Sequence, residues 1–283
     1  MKYLTTYFLF TVLSLCTYAQ ISVSSAQGMP DDNGYIVRDG DMAPDFDVQL
    51  ADGSHVRLSS LRGRIVMLQF TASWCSVCRK EMPFIERDIW QKHKDDAAFM
   101  LVGIDRDEPL ETVKAFAQQT GVTYPMALDP DADVFGLYAD KKAGVTRNVL
   151  IGRDGHIIKR TRLYKTDEFA ELTQAIDSLL AKPAFTNLTT TDFSTCIARD
   201  DVQLVDVRTM EEWNEAHINE AVNIDVLQDN FVSRAERMLD RKKIVAVYCR
   251  SGKRSTTAAE KLTEAGFDVI NLLGGFLEWT KKK

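Results

Sequence analysis

The chain is poor in the residues that build disulfide frameworks and metal clusters. It has five cysteines and four histidines in 283 residues. Without Cys16, four cysteines remain, too few for a disulfide scaffold at this length. No histidine stands at the spacing of a metal-ligand pair. We therefore expect the cysteines to act as reagents, and we expect no metal and no other cofactor.

The chain also lacks a strong charge imbalance and, after its N-terminal segment, any long apolar run. The net charge is −6, a modest acidic excess that argues against a nucleic-acid partner. No later segment is apolar for long enough to span a membrane. The apolar and charged fractions, 45% and 27%, are those of ordinary globular proteins, and the length predicts two domains.

The N-terminal segment has the pattern of a secretory signal peptide. A short basic start at residues 1–3 precedes an apolar stretch at residues 7–15, which is too brief to span a bilayer. Residues 17–19 include small side chains suited to cleavage. We expect a signal peptide at residues 1–19, followed by a polar leader at residues 20–39.

Cys16 introduces the alternative of a lipoprotein. Lipoprotein processing requires a small residue before the cysteine, and Leu15 is bulky. We therefore favour cleavage after Ala19. On either interpretation the protein is expected to be periplasmic or otherwise exported.

A pair of cysteines, Cys75 and Cys78, follows an apolar run at residues 65–70. Two cysteines separated by two residues, where a strand gives way to a helix, form the arrangement of a thiol/disulfide couple. Cys75 is expected to face solvent at the helix N-terminus, where the helix dipole favours the thiolate. Cys78, one turn later, is placed to resolve a mixed disulfide on Cys75. The alternatives are half of a zinc site, for which a second ligand pair is missing, and two inert core cysteines.

Strands and helices alternate around this pair. The pattern predicts buried strands at residues 65–70 and 98–104, a helix at 110–119 and a final helix at 166–180. Residues 153–155 predict the turn of a β-hairpin. This order of elements is typical of a thioredoxin-like α/β fold with three layers.

Three motifs mark the segment at residues 40–182. They are Gly40-Asp41-x-Ala43-Pro44-Asp45-Phe46, Trp74-Cys75-x-x-Cys78-x-x-Glu81-x-Pro83 and Leu150-Ile151-x-x-x-Gly155. With them the segment resembles the TlpA/ResA type of exported thiol-disulfide oxidoreductase. The resemblance implies that Cys75 attacks, that Cys78 resolves, and that Glu81 is the acidic residue near the pair, placed to accept the Cys78 proton. The alternative for Glu81 is a solvated helix charge.

One position departs from this family. Where the family usually has a cis-proline facing the dithiol, the chain has Thr146. A cis bond before a residue other than proline costs about 3 kcal/mol, so the loop is expected to be either trans or strained. By the resemblance, Thr146 and Trp74 are expected to contact the substrate. Peroxiredoxin chemistry fits less well, because it needs Thr or Ser where the chain has Ala72.

A second unit is predicted at residues 188–283, after a linker at residues 183–187. Its centre is Cys249, which an apolar strand at residues 244–248 delivers to a glycine-containing loop and a helix. Cys196, in the same unit, is interpreted as a core residue.

The loop after Cys249 predicts an anion cradle. It consists of Arg250, Ser251, Gly252, Lys253 and Arg254. Backbone N–H groups, a helix N-terminus and positive side chains are expected to converge on the Cys249 sulfur and to stabilise its thiolate. The same donors suit a persulfide or the oxyanion of thiosulfate. The alternative is a buried cysteine that ends a strand beside a basic turn.

Several further patterns accompany this loop. They are Asp206-Val207-Arg208, His217-Ile218 and Leu273-Gly274-Gly275-Phe276-x-x-Trp279. Together the second unit resembles a rhodanese-like α/β domain, which implies a central parallel sheet and sulfur transfer at Cys249. Phosphatases of this fold carry an arginine where the chain has Ser255. Ala216 and Glu220 replace frequent glycines, and Asp206, Arg208 and His217 are expected to support the fold.

These interpretations combine into an exported enzyme with two sulfur centres. As a hypothesis, Cys249 takes a sulfane sulfur, Cys75 attacks it and Cys78 closes the disulfide. The expected partners are protein thiols or disulfides, sulfane-sulfur donors and a membrane thiol reductant. The alternatives are a general disulfide reductase for client proteins or cytochrome maturation, whose rhodanese unit only docks partners, and a metal or sulfur carrier without turnover.

Overall fold

The computed structural model describes residues 29–181 and 184–281. The expected signal peptide and the beginning of the expected leader lie outside these residues. Within them, no helix combines the length and the apolar character needed to cross a bilayer.

The first domain contains seven strands and five helices in its described part. Its strands are β1 (Asp47–Gln49), β2 (His55–Arg57), β3 (Ile65–Thr71), β4 (Phe99–Arg106), β5 (Met126–Asp129), β6 (Arg147–Ile151) and β7 (Ile157–Arg162). Its helices are α1 (Ser76–Ile85), α2 (Gln91–His93), α3 (Leu110–Thr120), α4 (Asp133–Tyr138) and α5 (Thr166–Leu180), with a 3-10 turn at Leu58–Leu61 and a π-helical turn at Glu86–Trp90.

Five of these strands form one mixed sheet in the order β5-β4-β3-β6-β7. The strands β3, β4 and β5 are parallel, β6 is antiparallel to β3, and β7 is antiparallel to β6. The strands β1 and β2 form a separate hairpin. The predicted hairpin around residues 153–155 is therefore confirmed as β6–β7, and α5 has the predicted bounds.

The central strand β3 is covered on both faces. All seven of its residues are buried, as its nearly continuous apolar run predicts. On one face, Thr71 Oγ1 donates to Met82 Sδ of α1 at 3.5 Å. On the other face, the rings of Phe70 and Phe135 of α4 pack edge to face with centroids 5.6 Å apart. The predicted three-layer arrangement is confirmed.

Part of the expected leader belongs to the first domain. Tyr35 and Val37 are buried. The Tyr35 hydroxyl donates to the backbone carbonyl of Thr161 in β7 at 2.7 Å. The expected domain start at residue 40 is therefore corrected, because isolated apolar anchors in a polar segment produce no periodic pattern.

The second domain contains five strands and five helices in its described part. Its strands are β8 (Phe185–Leu188), β9 (Val202–Asp206), β10 (Val222–Asn223), β11 (Ile244–Tyr248) and β12 (Val269–Leu272). Its helices are α6 (Thr190–Cys196), α7 (Met210–Glu215), α8 (Phe231–Met238), α9 (Lys253–Glu264) and α10 (Gly275–Lys281).

The sheet of the second domain is parallel throughout, in the order β10-β9-β11-β12-β8. The predicted central parallel sheet is confirmed. The expected linker at residues 183–187 is corrected, because residues 185–187 belong to β8, which pairs with β12. Cys196 is fully buried, as predicted.

The two domains meet at the edge of each sheet where its parallel strands begin, and the antiparallel strand β6 ends at this same edge. An ion pair joins Arg64, just before β3, to Asp201, just before β9. Arg153 Nη2, which follows β6, lies 2.9 Å from Asp268 Oδ1, just before β12. All four side chains are mostly buried. Partly buried ion pairs of this kind specify an orientation more than they add stability.

The backbone conformation at Glu220 leads to a testable prediction for the second domain. Its backbone is left-handed, with φ of 68°, and the rhodanese resemblance led us to expect glycine nearby. A Cβ in this region costs about 1 kcal/mol. Glu220→Gly is therefore expected to raise the free energy of unfolding of the second domain by about 1 kcal/mol, measured by urea unfolding.

The matched control is Ala216→Gly. Ala216 is extended, with φ of −167°, so glycine relieves no backbone strain there. Ala216→Gly is expected to be less stable than the wild type. A Glu220→Gly variant with an unchanged or lower urea midpoint contradicts this interpretation.

Candidate active sites

The dithiol lies at the junction of β3 and α1. Cys75 is the N-cap of α1, and its Sγ accepts a hydrogen bond from the Cys78 backbone N–H at 3.2 Å. The two cysteines are joined as a disulfide. Cys78 is fully buried and Cys75 is 8% exposed. The helix N-terminus was predicted, but the expectation that Cys75 faces solvent is wrong in this oxidised state.

Thr146 is the residue that covers both sulfurs. Its Oγ1 lies 3.1 Å from Cys75 Sγ and 3.2 Å from Cys78 Sγ. The Val145–Thr146 peptide bond is trans, as are the other peptide bonds of residues 29–181 and 184–281. Thr146 therefore faces the dithiol from the position where the resembled family has proline, and it adds a hydroxyl within reach of either sulfur.

Trp74 provides the exposed surface beside the disulfide. The residue is 61% exposed and directly precedes Cys75. An exposed indole next to a nearly buried disulfide offers apolar contact area to an approaching chain. Substrate contacts of Trp74 and Thr146 stay predictions.

Glu81 is buried one turn after Cys78. The residue is 1% exposed, and its Oε1 accepts a hydrogen bond from Asn148 Nδ2 at 2.8 Å. Burial raises the pKa of Glu81 to about 7, against the lowering effect of the Asn148 hydrogen bond. The interpretation of Glu81 as a solvated helix charge is therefore wrong. A carboxyl with this pKa suits proton exchange near neutral pH.

Cys249 lies at the carboxyl end of β11. Its Sγ accepts a hydrogen bond from the Gly252 N–H at 3.2 Å, and α9 begins at the next residue. Gly252 has φ of 94°, a left-handed conformation that favours glycine. Cys249 is 1% exposed. A reactant therefore reaches its sulfur only if it is small or if the loop moves.

The start of α10 supports this loop from behind. Phe276 N–H donates to the Cys249 carbonyl at 2.7 Å, and Leu277 N–H donates to the Arg250 carbonyl at 3.0 Å. A Cβ on Gly275 would lie 2.4 Å from the Cys249 carbonyl oxygen. The glycine pair before Phe276 therefore lets the backbone of α10 approach the loop.

The positive side chains of the loop do not all point at the sulfur. Both terminal nitrogens of Arg254 bind Glu212, each at 2.7 Å. This hydrogen bond lowers the pKa of Glu212 to about 2. The expected convergence of Arg254 on Cys249 is met only in part: its guanidinium hydrogen-bonds to Glu212, and its charge still interacts with Cys249. Arg250, Ser251 and Lys253 are exposed.

Each cysteine site lies at the end of its strand that is remote from the contact between the domains. Cys75 follows the carboxyl end of β3 and Cys249 that of β11, whereas the domains meet at the amino ends. At Gly63, just before β3, an added Cβ would lie 3.9 Å from Ile244, the first residue of β11. The strands are 7 and 5 residues long, so with a rise of about 3.3 Å per residue each sulfur lies about 15 Å or more from this contact.

Among the described residues, no group of His, Cys, Asp and Glu side chains could hold a metal ion.

Asp206, Arg208 and His217 of the second domain make contacts that support the fold. Arg208 binds Asp206 through two nitrogens and donates to the Ala216 carbonyl. The His217 ring stacks on Trp213, with centroids 4.1 Å apart.

Comparison with known proteins agrees with this geometry. The redoxin family model matches residues 38–176, and the rhodanese-like domain model matches residues 189–282. A thiol-disulfide oxidoreductase ResA from Bacillus thuringiensis (strain Al Hakam) is 31% identical over 132 residues, which cover 47% of this chain and 74% of that protein. The chain belongs to the ResA-type thiol-disulfide oxidoreductases. It carries, in addition, a C-terminal rhodanese-like domain.

Other ResA-type oxidoreductases and one solved structure extend this result. The ResA protein of Oceanobacillus iheyensis is 34% identical over 128 residues, which cover 44% of this chain and 65% of that protein. The solution structure of a candidate protein disulfide isomerase from Bacteroides thetaiotaomicron is 68% identical, with a TM-score of 0.52. That match covers 53% of this chain and 94% of that structure. Both matches concern only about half of this ResA-type chain.

Sequence reasoning missed two residues that hold these sites together. Asn148 anchors Glu81, and nothing in its local pattern indicates a buried partner 67 residues away. Glu212 holds Arg254, and here a signal existed. Thr209 and Glu212 form a capping box at the start of α7, and the Thr-x-x-Glu pattern predicts such a box.

The raised pKa of Glu81 predicts how the stability of the first domain depends on pH. The folded protein holds this proton more tightly than the unfolded chain, so stability falls as the pH rises from about 4.5 to about 7. Glu81→Gln removes this loss and keeps an acceptor for Asn148. The variant is expected to match the wild type at pH 4 and to exceed it at pH 8, by up to about 3 kcal/mol.

Urea unfolding of the first domain across pH 4 to 8 measures this difference. Glu111→Gln is the matched control, since Glu111 is an exposed carboxylate on α3. If the wild-type and Glu81→Gln curves stay parallel across this range, Glu81 does not bind its proton as described.

Proposed function

We propose that the first domain reduces disulfides of exported client proteins. The Cys75 thiolate attacks one client sulfur, which forms a mixed disulfide and releases a client thiolate. Cys78 then gives its proton to Glu81 and attacks Cys75 Sγ. The second client thiol leaves and the Cys75–Cys78 disulfide forms. The client gains two electrons, and the dithiol loses them.

The single observation that carries this proposal is the position of the Cys75 sulfur. It accepts the Cys78 N–H at the start of α1, with the Thr146 hydroxyl at 3.1 Å. These donors remain in place when the disulfide opens, and they stabilise a thiolate on Cys75. The buried Glu81 supplies a proton acceptor on the same helix.

We further propose that Cys249 is a sulfurtransferase nucleophile. Its thiolate attacks the outer sulfur of thiosulfate, forms a Cys249 persulfide and releases sulfite. An acceptor such as cyanide then takes the sulfane sulfur and regenerates the thiolate. The Gly252 N–H at 3.2 Å and the N-terminus of α9 support this role, because they favour negative charge on sulfur.

The location of the protein outside the cytoplasm is part of the proposal. The signal-like segment at residues 1–19 supports export. An exported dithiol that reduces its clients must itself be reduced, and a membrane thiol carrier is the expected electron source.

The two sites are proposed to act on separate external partners. A direct relay from Cys249 to Cys75 within one chain was the hypothesis from sequence. The position of each sulfur, a strand's length from the contact between the domains, opposes it while the domains stay docked. A relay between two chains meets no such obstacle, since each site lies at a free end of the molecule.

Variants in which one cysteine is replaced by serine test the two activities. Cys75→Ser is expected to lower insulin-disulfide reduction by at least about 1,000-fold and to leave thiocyanate formation from thiosulfate and cyanide unchanged. Cys249→Ser is expected to abolish thiocyanate formation and to leave insulin-disulfide reduction unchanged. Cys196→Ser is the matched control, because Cys196 lies in neither site.

Three outcomes contradict the proposal. Loss of both activities in either single variant means that the sites are one unit. A wild type without thiocyanate formation favours a rhodanese unit that only docks partners, and a wild type with neither activity favours a carrier.

A mixing experiment tests the separation of the sites. One chain carries Cys75→Ser and Cys78→Ser and is loaded with persulfide at Cys249; the other carries Cys249→Ser and a reduced dithiol. Sulfide release from this mixture is expected to match that of the loaded wild type at equal site concentrations. In both cases the fraction of persulfide consumed per unit time is expected to rise in proportion to protein concentration.

A faster release in the wild type that is independent of its concentration contradicts this arrangement. It would mean that the linked sites meet within one chain and gain effective concentration from the link.

A further inference from the structure

A second buried carboxyl lies beside the dithiol. Asp105, near the carboxyl end of β4, is fully buried. No hydrogen-bond donor of the described residues reaches either of its carboxylate oxygens. Leaving such a group without a partner is expensive in a folded protein. The burial of this unpartnered carboxyl group therefore needs an explanation other than packing.

Asp105 shares a sheet face with the residues under the cysteines. It pairs in register with Thr71 of β3, and Thr71 points to α1 through its contact with Met82. On the other side of Thr71, the register of β3 with β6 ends at the pair Phe70–Arg147, so Thr146, which contacts both sulfurs, is the next residue along this row. With about 4.8 Å between strands, Asp105 lies about 10 Å from Thr146 along this row.

Glu108 connects Asp105 to the turn that carries Cys75. Its two carboxylate oxygens accept the Ser73 N–H and the Ser73 hydroxyl, each at 2.5 Å. Its carboxyl group also neighbours that of Asp105. Two carboxylates cannot hydrogen-bond to each other without a shared proton. Ser73 stands two residues before Cys75, so Glu108 fixes the backbone from which Cys75 projects.

We propose that Asp105 and Glu108 are a positioning pair for the dithiol: one proton held between them lets Glu108 keep the Ser73 turn, and with it Cys75, in place. The proposal rests on the thiol-disulfide activity and not on the rhodanese domain. It adds a second carboxyl to the site besides Glu81, one that touches neither sulfur and acts through the turn.

The charges around the pair determine its pH dependence. Burial, together with the carboxylates of Glu108 and Asp107, raises the pKa of Asp105 to about 8. Asp107 is itself paired with Arg106. Arg79 of α1 binds the Ser73 carbonyl from the other side. Above about pH 8 the shared proton is lost, two negative charges face each other, and the Ser73 turn loosens.

The test compares alkylation of Cys75 in the full reduced chain of the wild type and of Asp105→Asn from pH 6 to 10. Each rate is followed at Cys75 by peptide mass spectrometry and divided by the Cys75 thiolate fraction of the same protein, because removing a nearby carboxylate also changes that fraction. The wild-type rate is expected to fall about fivefold relative to the variant between pH 7 and 9. A merely structural role for Asp105 leaves the ratio of the two corrected rates the same at every pH.

Two further variants keep the test decisive. Glu108→Gln removes the like charge and is expected to abolish the same fall in rate, so it carries the test if Asp105→Asn does not fold. Ser73→Ala removes the hydroxyl bond of this connection but keeps the N–H bond, and it is expected to make the fall smaller. Wild-type pH dependence in all three variants overturns the proposal. Failure of client reduction in the wild type would instead count against the proposed function.

Discussion

One hydrogen bond recurs at both reactive sulfurs. Cys75 Sγ accepts the N–H of Cys78, and Cys249 Sγ accepts the N–H of Gly252, each three residues on and each at 3.2 Å. In both domains a short turn links a buried strand to a helix and carries the cysteine: Cys75 directly precedes α1, and Cys249 directly follows β11. The first free amides of that helix, which have no intrahelical acceptor, face the sulfur. The rest of each site depends on this arrangement, because it favours negative charge on sulfur without a cation in contact.

The surroundings of the two sulfurs differ in how they handle charge. Around the dithiol, carboxyl groups are buried. Burial raises the pKa of Glu81 and of Asp105, so these groups hold protons near neutral pH. Thiol-disulfide exchange releases and takes up protons at each step, and such groups suit that need. Around Cys249 the charged side chains are instead paired or exposed, as Arg254 with Glu212 illustrates. Sulfur transfer from thiosulfate needs a stable anion more than a proton acceptor.

The elements that sequence predicted are those whose pattern is local. The strand β3 has a continuous apolar run, α5 has a clear helical period, and both cysteine loops have their glycines and helix starts in the sequence itself. The position of Thr146 opposite the dithiol was also predicted, since a family motif fixes it. What sequence could not predict depends on contacts distant in the chain. Examples are β8, which is a strand only because β12 lies beside it, and Tyr35, whose hydroxyl reaches β7.

The burial of Glu81 likewise depends on a contact distant in the chain and was not predicted. Its helical position alone allows either solvent or core, and Asn148 on β6 decides between them. The exposure of Cys75 was overestimated for a similar reason. A helix N-terminus suggests an open sulfur, but Thr146 comes from another element and covers it. In both cases the local chemistry was predicted correctly, and its access to water was not.

The way the domains join follows from where parallel strands place their reactive ends. Ligands and reactive side chains in such sheets gather at the carboxyl ends of the strands, which leaves the amino ends free for structural contacts. Here the interface lies where the parallel strands of both sheets begin, through Arg64 with Asp201 and Arg153 with Asp268; Arg153 reaches it from the end of the antiparallel strand β6. Any docking through a carboxyl end would cover one of the two cysteines. Joining the domains back to back therefore keeps both sulfurs reachable, and it explains why two centres with the same amide geometry lie on one chain without facing each other.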